Sequence, residues 1–451
     1  MNKRMISLMA AALALLSASG QVEFTGVGDY HVIEVTPEMS TGLNKIFVVF
    51  DTDGVGMNFN SSTGEPATWE SFDYRDGNLV IEPVPDIRWN GMATTLKQVI
   101  PNMGYKIVEG TRTYYYWVVN YADYYLELNA LFYNSETSCN LISFNIDGHG
   151  DAIPYYSLNG HRQVLDREIK LTYNTLEWDD STHWQEKVVV ENFAALDQGV
   201  EIMAPLCNTA IEMTGDRFLE EWNLGTSAEA DYFYTQAVGC GTSAVQEDRG
   251  NSNEIGLSSG LGGSAPVHIV FTGYPTDAVV YRVWEMARDQ DFEDVILQYN
   301  QDEVDYTFNE SGTYYMRYMV ANASGSCEAY GDTYTITVSE SELKDCPNAF
   351  SPGSTEGVND VWKVSYKSLV EFHCWIFNRW GTLVYEYTDP AGGWDGTYRG
   401  KLVDTGVYYY VVTATGSDGV KYKKRGDITI LHYKKGAAGT SNGPDSGGVV
   451  Y

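Results

Sequence analysis

The chain is short of positive charge. Its 451 residues include 29 Lys and Arg against 61 Asp and Glu, a formal net charge of −32. Phosphates would be repelled, which excludes nucleic acid as a partner. Windows with apolar residues at i, i+3, i+4 and i+7 over a helical length are scarce, which excludes a coiled coil. Beyond residue 20 there is no apolar run long enough to span a bilayer, so no transmembrane segment is expected after the N-terminus. No C-x-x-C pair occurs among the six cysteines, Cys139, Cys207, Cys240, Cys327, Cys346 and Cys374. That argues against a zinc ribbon or a thioredoxin-type site. H-E-x-x-H and the P-loop lysine are also missing. Gly256-Leu257-Ser258-Ser259-Gly260 spells G-x-S-x-G but lacks the strand before and helix after that a nucleophile elbow needs. Asp51-Thr52-Asp53-Gly54 begins like a calcium loop, yet Val55 stands where a third ligand belongs and Ser62 where the closing Glu belongs. His149 is flanked by Asp147 and Asp151, and the glycines beside it mark an exposed loop. The expectation is a chain with no catalytic residue, no cofactor and no metal site.

What is abundant is 34 Tyr, 11 Trp and 44 Gly. Aromatic residues favour strands and glycine favours turns, so the fold class expected is all-β. The length is about three times a typical domain of ~150 residues, which implies several modules. Lys45 to Phe50 is a short β-rich run. Thr111 to Phe132 is too long for one strand and is expected to break near Asn120 to Asp123. Its aromatic stripe, Tyr114 to Tyr125, reads as sandwich core rather than as a sugar-stacking surface. Strands recurring with Gly, Asn and Asp turns predict tandem Ig-like β-sandwiches.

The N-terminus has the three-part plan of a secretory signal peptide. Lys3 and Arg4 are followed by the apolar run Met5 to Ala18, then Ser19-Gly20. An even cysteine count in an exported chain permits disulfides, with fifteen full pairings open. Cys374 shares an alternating face with Val370, Phe372 and Ile376, and reads as a buried apolar residue. Gln246 to Ser264 is polar and glycine-rich and reads as a linker. Residues 346–451 hold 11 Lys and Arg against 10 Asp and Glu, whereas the first 345 hold 18 against 51. The C-terminal part is therefore a different kind of module, expected to fold separately.

Two segments carry a family resemblance. Pro266 to Phe271, Tyr281 to Glu285 with Trp284, Tyr306 to Tyr315 with Gly312, and Tyr334 to Val338 together resemble the PKD-like domain, an Ig-like sandwich of extracellular proteins. By this reading Pro266 opens an edge strand, Trp284 fills the core and Gly312 turns the chain. The resemblance implies a spacer or adhesive role. The second set is C-terminal. Pro347-Asn348-Ala349-Phe350-Ser351-Pro352 leads into Asn359-Asp360-Val361-Trp362. Asn378-Arg379-Trp380-Gly381, Trp394-Asp395-Gly396, Tyr408 to Tyr410 and Gly426-Asp427-Ile428 follow. This order is similar to the gliding-motility-associated C-terminal domain of Bacteroidota, the type B sorting domain of the type IX secretion system. The resemblance implies a β-sandwich recognised by the type IX translocon after export to the periplasm. It marks Pro347, Asn348, Phe350, Pro352, Asn359, Asp360, Asn378, Arg379, Trp380, Gly381, Trp394, Asp395 and Gly396 as motif residues. Physically, Pro347 and Pro352 should hold the chain extended. Arg379 should lie over a ring of its own strand, among His373, Trp375 and Phe377. Asp395 should cap backbone N–H groups.

The expected organisation is a signal peptide over 1–20, an Ig-like sandwich over 21–133 and a second β-rich domain over 134–250. A PKD-like domain over 255–340, a sorting domain over 346–435 and a flexible tail over 436–451 complete it. The leading function is a non-enzymatic surface or secreted protein whose Ig-like modules bind a glycan or a host or cell-surface protein. The alternatives are an accessory or signalling component of the type IX secretion and gliding machinery, or a secreted hydrolase with an unrecognised site before residue 250.

Overall fold

The computed structural model describes residues 21–431, apart from 76–77, 135–138, 197–198, 257–259, 345 and 354–356. The expected signal peptide, the 436–451 tail and the serine of the G-x-S-x-G match lie outside the described residues. Strand makes up 54% of the described residues and helix 3%, so the fold is all-β. The described residues form two compact units, one up to Leu176 with Glu186–Thr235 and the other Glu177–Gln185 with the residues from Gln236 onward.

In the first unit a six-stranded sheet is covered on both faces. The run Lys45–Val49 pairs in parallel with Arg112–Asn120, at the middle of this sheet. Successive side chains point to opposite faces. Phe47, Val49, Tyr114, Tyr116 and Val118 therefore enter one core, packed with Met57, Phe59 and Ile107. Ile46, Val48, Trp117 and Val119 enter another, shared with Leu128, Phe144, Leu171, Met213 and Phe233. Two-sided burial explains why this segment reads as an unbroken apolar run rather than an alternating one. The long aromatic stretch breaks where expected, with a 3-10 turn at Tyr121–Tyr124 between strands Arg112–Asn120 and Glu127–Tyr133. Residues from both the 21–133 and the 134–250 segments contribute to one core.

The second unit contains two sandwiches. In the first, Cys240–Gln246, Val267–Pro275 and Glu303–Phe308 form one sheet. Tyr334–Val338, Gly312–Ala321, Tyr281–Ala287 and Val295–Tyr299 form most of the other. Trp284 is fully buried between them, 5.6 Å from the ring of Phe271. Pro266 does not open an edge strand. The strand it precedes is central, paired on both sides, and its ladder begins at Val267, so the missing proline N–H breaks no pairing.

His268 stands on that strand between two carboxylates, 2.5 Å from Asp305 and 3.2 Å from Glu247. The bond to Asp305 raises its pKa above the ordinary 6.5. A raised folded value means stabilisation that is complete below pH 6.5 and is lost as pH climbs through the raised value. The urea midpoint of this unit should fall across that window, and His268→Gln should remove that share of the pH dependence. An unchanged slope in the variant would show that the histidine contributes nothing.

The C-terminal sandwich has its own core, with Trp362, Trp394, Cys374, Ile376, Val412 and Ile428 at its centre. Its five-stranded sheet runs Ala349–Phe350, Lys421–Ile430, Gly406–Gly416, Leu369–Phe377, Leu383–Tyr387. Cys374 is buried as expected, and burial pushes its thiol up to about 12. Val370 is not on its face. A register shift between Leu369 and Glu371 turns Val370 outward and puts Leu369 in the core instead.

The described part of Gln246 to Ser264 is not a free linker. Gln246 completes a strand, and Gly262–Gly263 pairs with Tyr334–Val338. Between them the chain docks on the C-terminal sandwich. Asn253 donates to the carbonyls of Val364 (2.9 Å) and Pro390 (2.8 Å), and Ile255 N–H to that of Tyr366 (2.8 Å). Glu254 is buried against Arg249 and Asn251. A second seam joins Ser264 to Ser368, and a third joins Ser341 to Asp418. Burial works against the Asp418 charge, but bonds from Ser341 and Val420 hold its carboxyl below the usual range. Polar side chains spent on a neighbouring backbone look, in sequence, the same as polar side chains in water.

Candidate functional site

Most of the C-terminal motif residues build the sandwich. The indole N–H of Trp362 donates to the Pro347 carbonyl at 2.6 Å. Trp362 and Trp394 exchange backbone hydrogen bonds at 2.8 and 2.9 Å, and both are fully buried. Phe350 is also buried, its ring 5.5 Å from that of Trp394. The Asn348 carbonyl accepts from Thr429, and that of Asn359 from Ser351. Asp360 accepts from Gly357 N–H at 2.9 Å. Pro352 lies in a turn rather than an extended stretch. The turn is packed against Gly396, where a Cβ would come within 2.8 Å of the proline ring. Gly396 has φ of 78°, so glycine is required there on both counts. Asp395 accepts from the backbone and hydroxyl of Thr397 at 2.9 and 2.7 Å, the expected cap.

Two motif residues are left over from this architecture. Asn378 closes a turn by accepting from Trp380 and Thr382 N–H, with Gly381 at φ of 77°. The turn throws Arg379 and Trp380 outward. Arg379 therefore does not lie over the rings of its own strand. Its guanidinium sits 4.2 Å from the Trp380 ring centroid, while His373 stacks on Trp375 instead. Trp380 is 73% exposed, the most exposed tryptophan side chain of the described residues.

Trp380 and Asn378 form one wall of a groove of about 510 Å³. The other wall is the hairpin Thr397–Tyr398 to Lys401–Leu402, closed by Arg399 and Gly400. Both central residues have positive φ, 52° and 79°, the geometry of a two-residue hairpin turn that follows strand twist. The hairpin sets Tyr398, Arg399, Lys401 and Leu402 along the groove, which Asp404 and Tyr408 also line. Burial raises the Tyr408 hydroxyl pKa, Asp404 adds to the rise, and Arg379 opposes it. The groove thus gathers cations and exposed aromatic surface. Sequence reading reached Asn378, Arg379 and Trp380 but not the hairpin residues. The only local signal for them is the Arg399-Gly400 turn.

His149 pairs with Glu127 at 3.6 Å across adjacent strands, beside a small cleft lined by Phe144, Asp151 and Leu196. Among the described residues there is no group of three or more His, Cys, Asp or Glu placed to hold a metal ion.

Residues 344–430 match the family described as the CHU_C type IX secretion signal domain. Residues 131–230 match a fibronectin type III domain family. No curated protein matches the chain in sequence. Among solved structures, the three N-terminal domains of the highly immunogenic outer capsid protein of bacteriophage RB49 align at 12% identity. That alignment covers 69% of this chain and 100% of that one, with a TM-score of 0.20. Dimeric latent PorU from Porphyromonas gingivalis aligns at 10% identity over 70% of this chain and 35% of its own, with a TM-score of 0.16. At such scores neither alignment carries an argument. The secretion signal indicates export to the cell surface or the extracellular space. Among the described residues no helix is long and apolar enough to cross a membrane.

Proposed function

We propose that the chain is a non-enzymatic cargo of the type IX secretion system, with residues 346–435 as its sorting domain. The segments before it, including a PKD-like sandwich over 255–340, are binding or adhesive modules for a glycan or a host or cell-surface protein. The observation that carries this reading is the secretion-signal match over 344–430, on a segment with a hydrophobic core of its own. Both matched families are non-catalytic domain types. The aromatic stripe that offered a stacking surface is spent on packing: Tyr114, Tyr116, Trp117 and Tyr121 are all buried. Ligand binding is therefore assigned to loops and outer faces, as is usual for sandwich scaffolds.

Deleting residues 346–451 tests the export half of the reading. The truncated chain should accumulate in the periplasm, detected by fractionation and surface proteolysis. Unchanged surface display would overturn the assignment. A glycan and protein binding screen on the exported chain tests the other half.

A further inference from the structure

We propose that the groove between the Asn378–Thr382 turn and the Tyr398–Lys401 hairpin docks an acidic, extended polypeptide segment of the export machinery. The inference rests on the sorting role argued above and names the surface that would perform it.

Three observations converge on this groove. The first is charge. Arg399 and Lys401 line it, Arg379 lies over the ring of the lining Trp380, and Asp404 is the one carboxylate among the lining residues. This cationic patch belongs to a chain of net charge −32. Complementary charge steers encounter and rejects wrong partners. The second is unused apolar surface. Trp380 is 73% exposed, with Leu383 at 38% and Leu402 at 40% beside it. Trp and Arg in one patch are the residue types that dominate binding energy at interfaces. The third is backbone. Leu383–Tyr387 ends the five-stranded sheet and pairs only with Leu369–Phe377. Among the described residues no strand pairs with its outer edge, and Val384 of this strand lines the groove. An open strand edge offers N–H and C=O groups to an incoming extended chain. A polypeptide can use all three features at once; a glycan leaves the strand edge unused.

The test uses the intact chain and a labelled ten-residue peptide alternating Glu and Val, read by fluorescence anisotropy. The peptide should bind, and more weakly at higher salt. Charge reversal by Arg399→Glu with Lys401→Glu should weaken binding about tenfold or more. The same peptide N-methylated at alternate residues should also lose affinity, because strand pairing needs its N–H groups. Both substituted residues are on the surface, so the thermal melt of the variant should match that of the parent. Failure of the peptide to bind, equal binding by the double variant, or preference for polygalacturonate over the peptide would overturn the proposal. In cells the double variant should be exported less. Loss of export on deleting 346–451 with normal export of the double variant would sink the groove and leave the sorting role standing. Normal export of the deletion would sink the sorting role itself.

Discussion

Replacing Arg167 by methionine is expected to destabilise the first unit by about 3–5 kcal/mol, a large part of a typical domain's stability. Arg167 and Asp216 are both fully buried, with Nε 2.7 Å from the carboxylate. Both terminal nitrogens are bonded as well. Another guanidinium nitrogen donates to the Asp151 carbonyl at 2.8 Å and a third to the Tyr121 hydroxyl at 3.2 Å. Tyr121 in turn donates to the carboxylate, 3.1 and 3.0 Å from its two oxygens. Burial, then the Asp216 charge, push the tyrosine pKa upward, so its hydroxyl keeps its proton. Asp216 also caps the short helix Arg217–Glu221 by accepting from Leu219 N–H. Methionine fills the volume but leaves a buried carboxylate without its cation, and that imbalance is the source of the cost.

The double variant Arg167→Met with Asp216→Asn separates this cause from packing. Asparagine can still cap the helix and accept from Tyr121, yet carries no charge. The double variant should therefore be more stable than Arg167→Met alone, which additive effects would not give. Urea unfolding of both variants and the parent provides the measurement. A single-variant cost under ~1 kcal/mol, or strictly additive losses, would show that the buried pair is not what stabilises this core.

Neither partner of that pair stood out in the sequence, and the reason is general. Arg167 lies just before the strand Ile169–Asp179 and Asp216 next to a short helix, 49 residues away. Local pattern carries information about strands because alternation is local; it carries none about which strands meet. The run Lys45–Val49 and the aromatic stretch with its break at Tyr121 were legible for that reason. That one sheet is buried on both faces was not, because its covering layers come from distant segments. The docked segment around Asn253 was misread through the same blindness. In the C-terminal module, glycine and tryptophan marked turns and anchors, whereas Pro352, expected in an extended stretch, lies in a turn. The groove was only half visible, since Trp380 and Arg399 become neighbours through a hairpin that sequence spacing does not reveal. Arg379 was legible as a cation beside aromatic rings, but the turn that redirects it to Trp380 was not.

Trp394→Ala is expected to destabilise the C-terminal sandwich by about 3–5 kcal/mol. The indole is fully buried against Phe350, Tyr385 and Tyr408, and its N–H donates to the Thr397 carbonyl at 2.9 Å. Truncation opens a cavity at the centre of the core and leaves that carbonyl without its donor. Hydrogen exchange should accelerate along Leu369–Phe377 and Gly406–Gly416, the central strands of the sheet, and export should fall with stability. Trp380→Ala makes the opposite contrast within the same motif set. Trp380 is 73% exposed and packs on Arg379, so its loss should change stability by no more than ~0.5 kcal/mol. One tryptophan then reports on folding and the other on recognition. An unaltered exchange profile in Trp394→Ala would mean that the motif's buried residues are not what holds this module together, and the division between scaffold and surface would have to be redrawn.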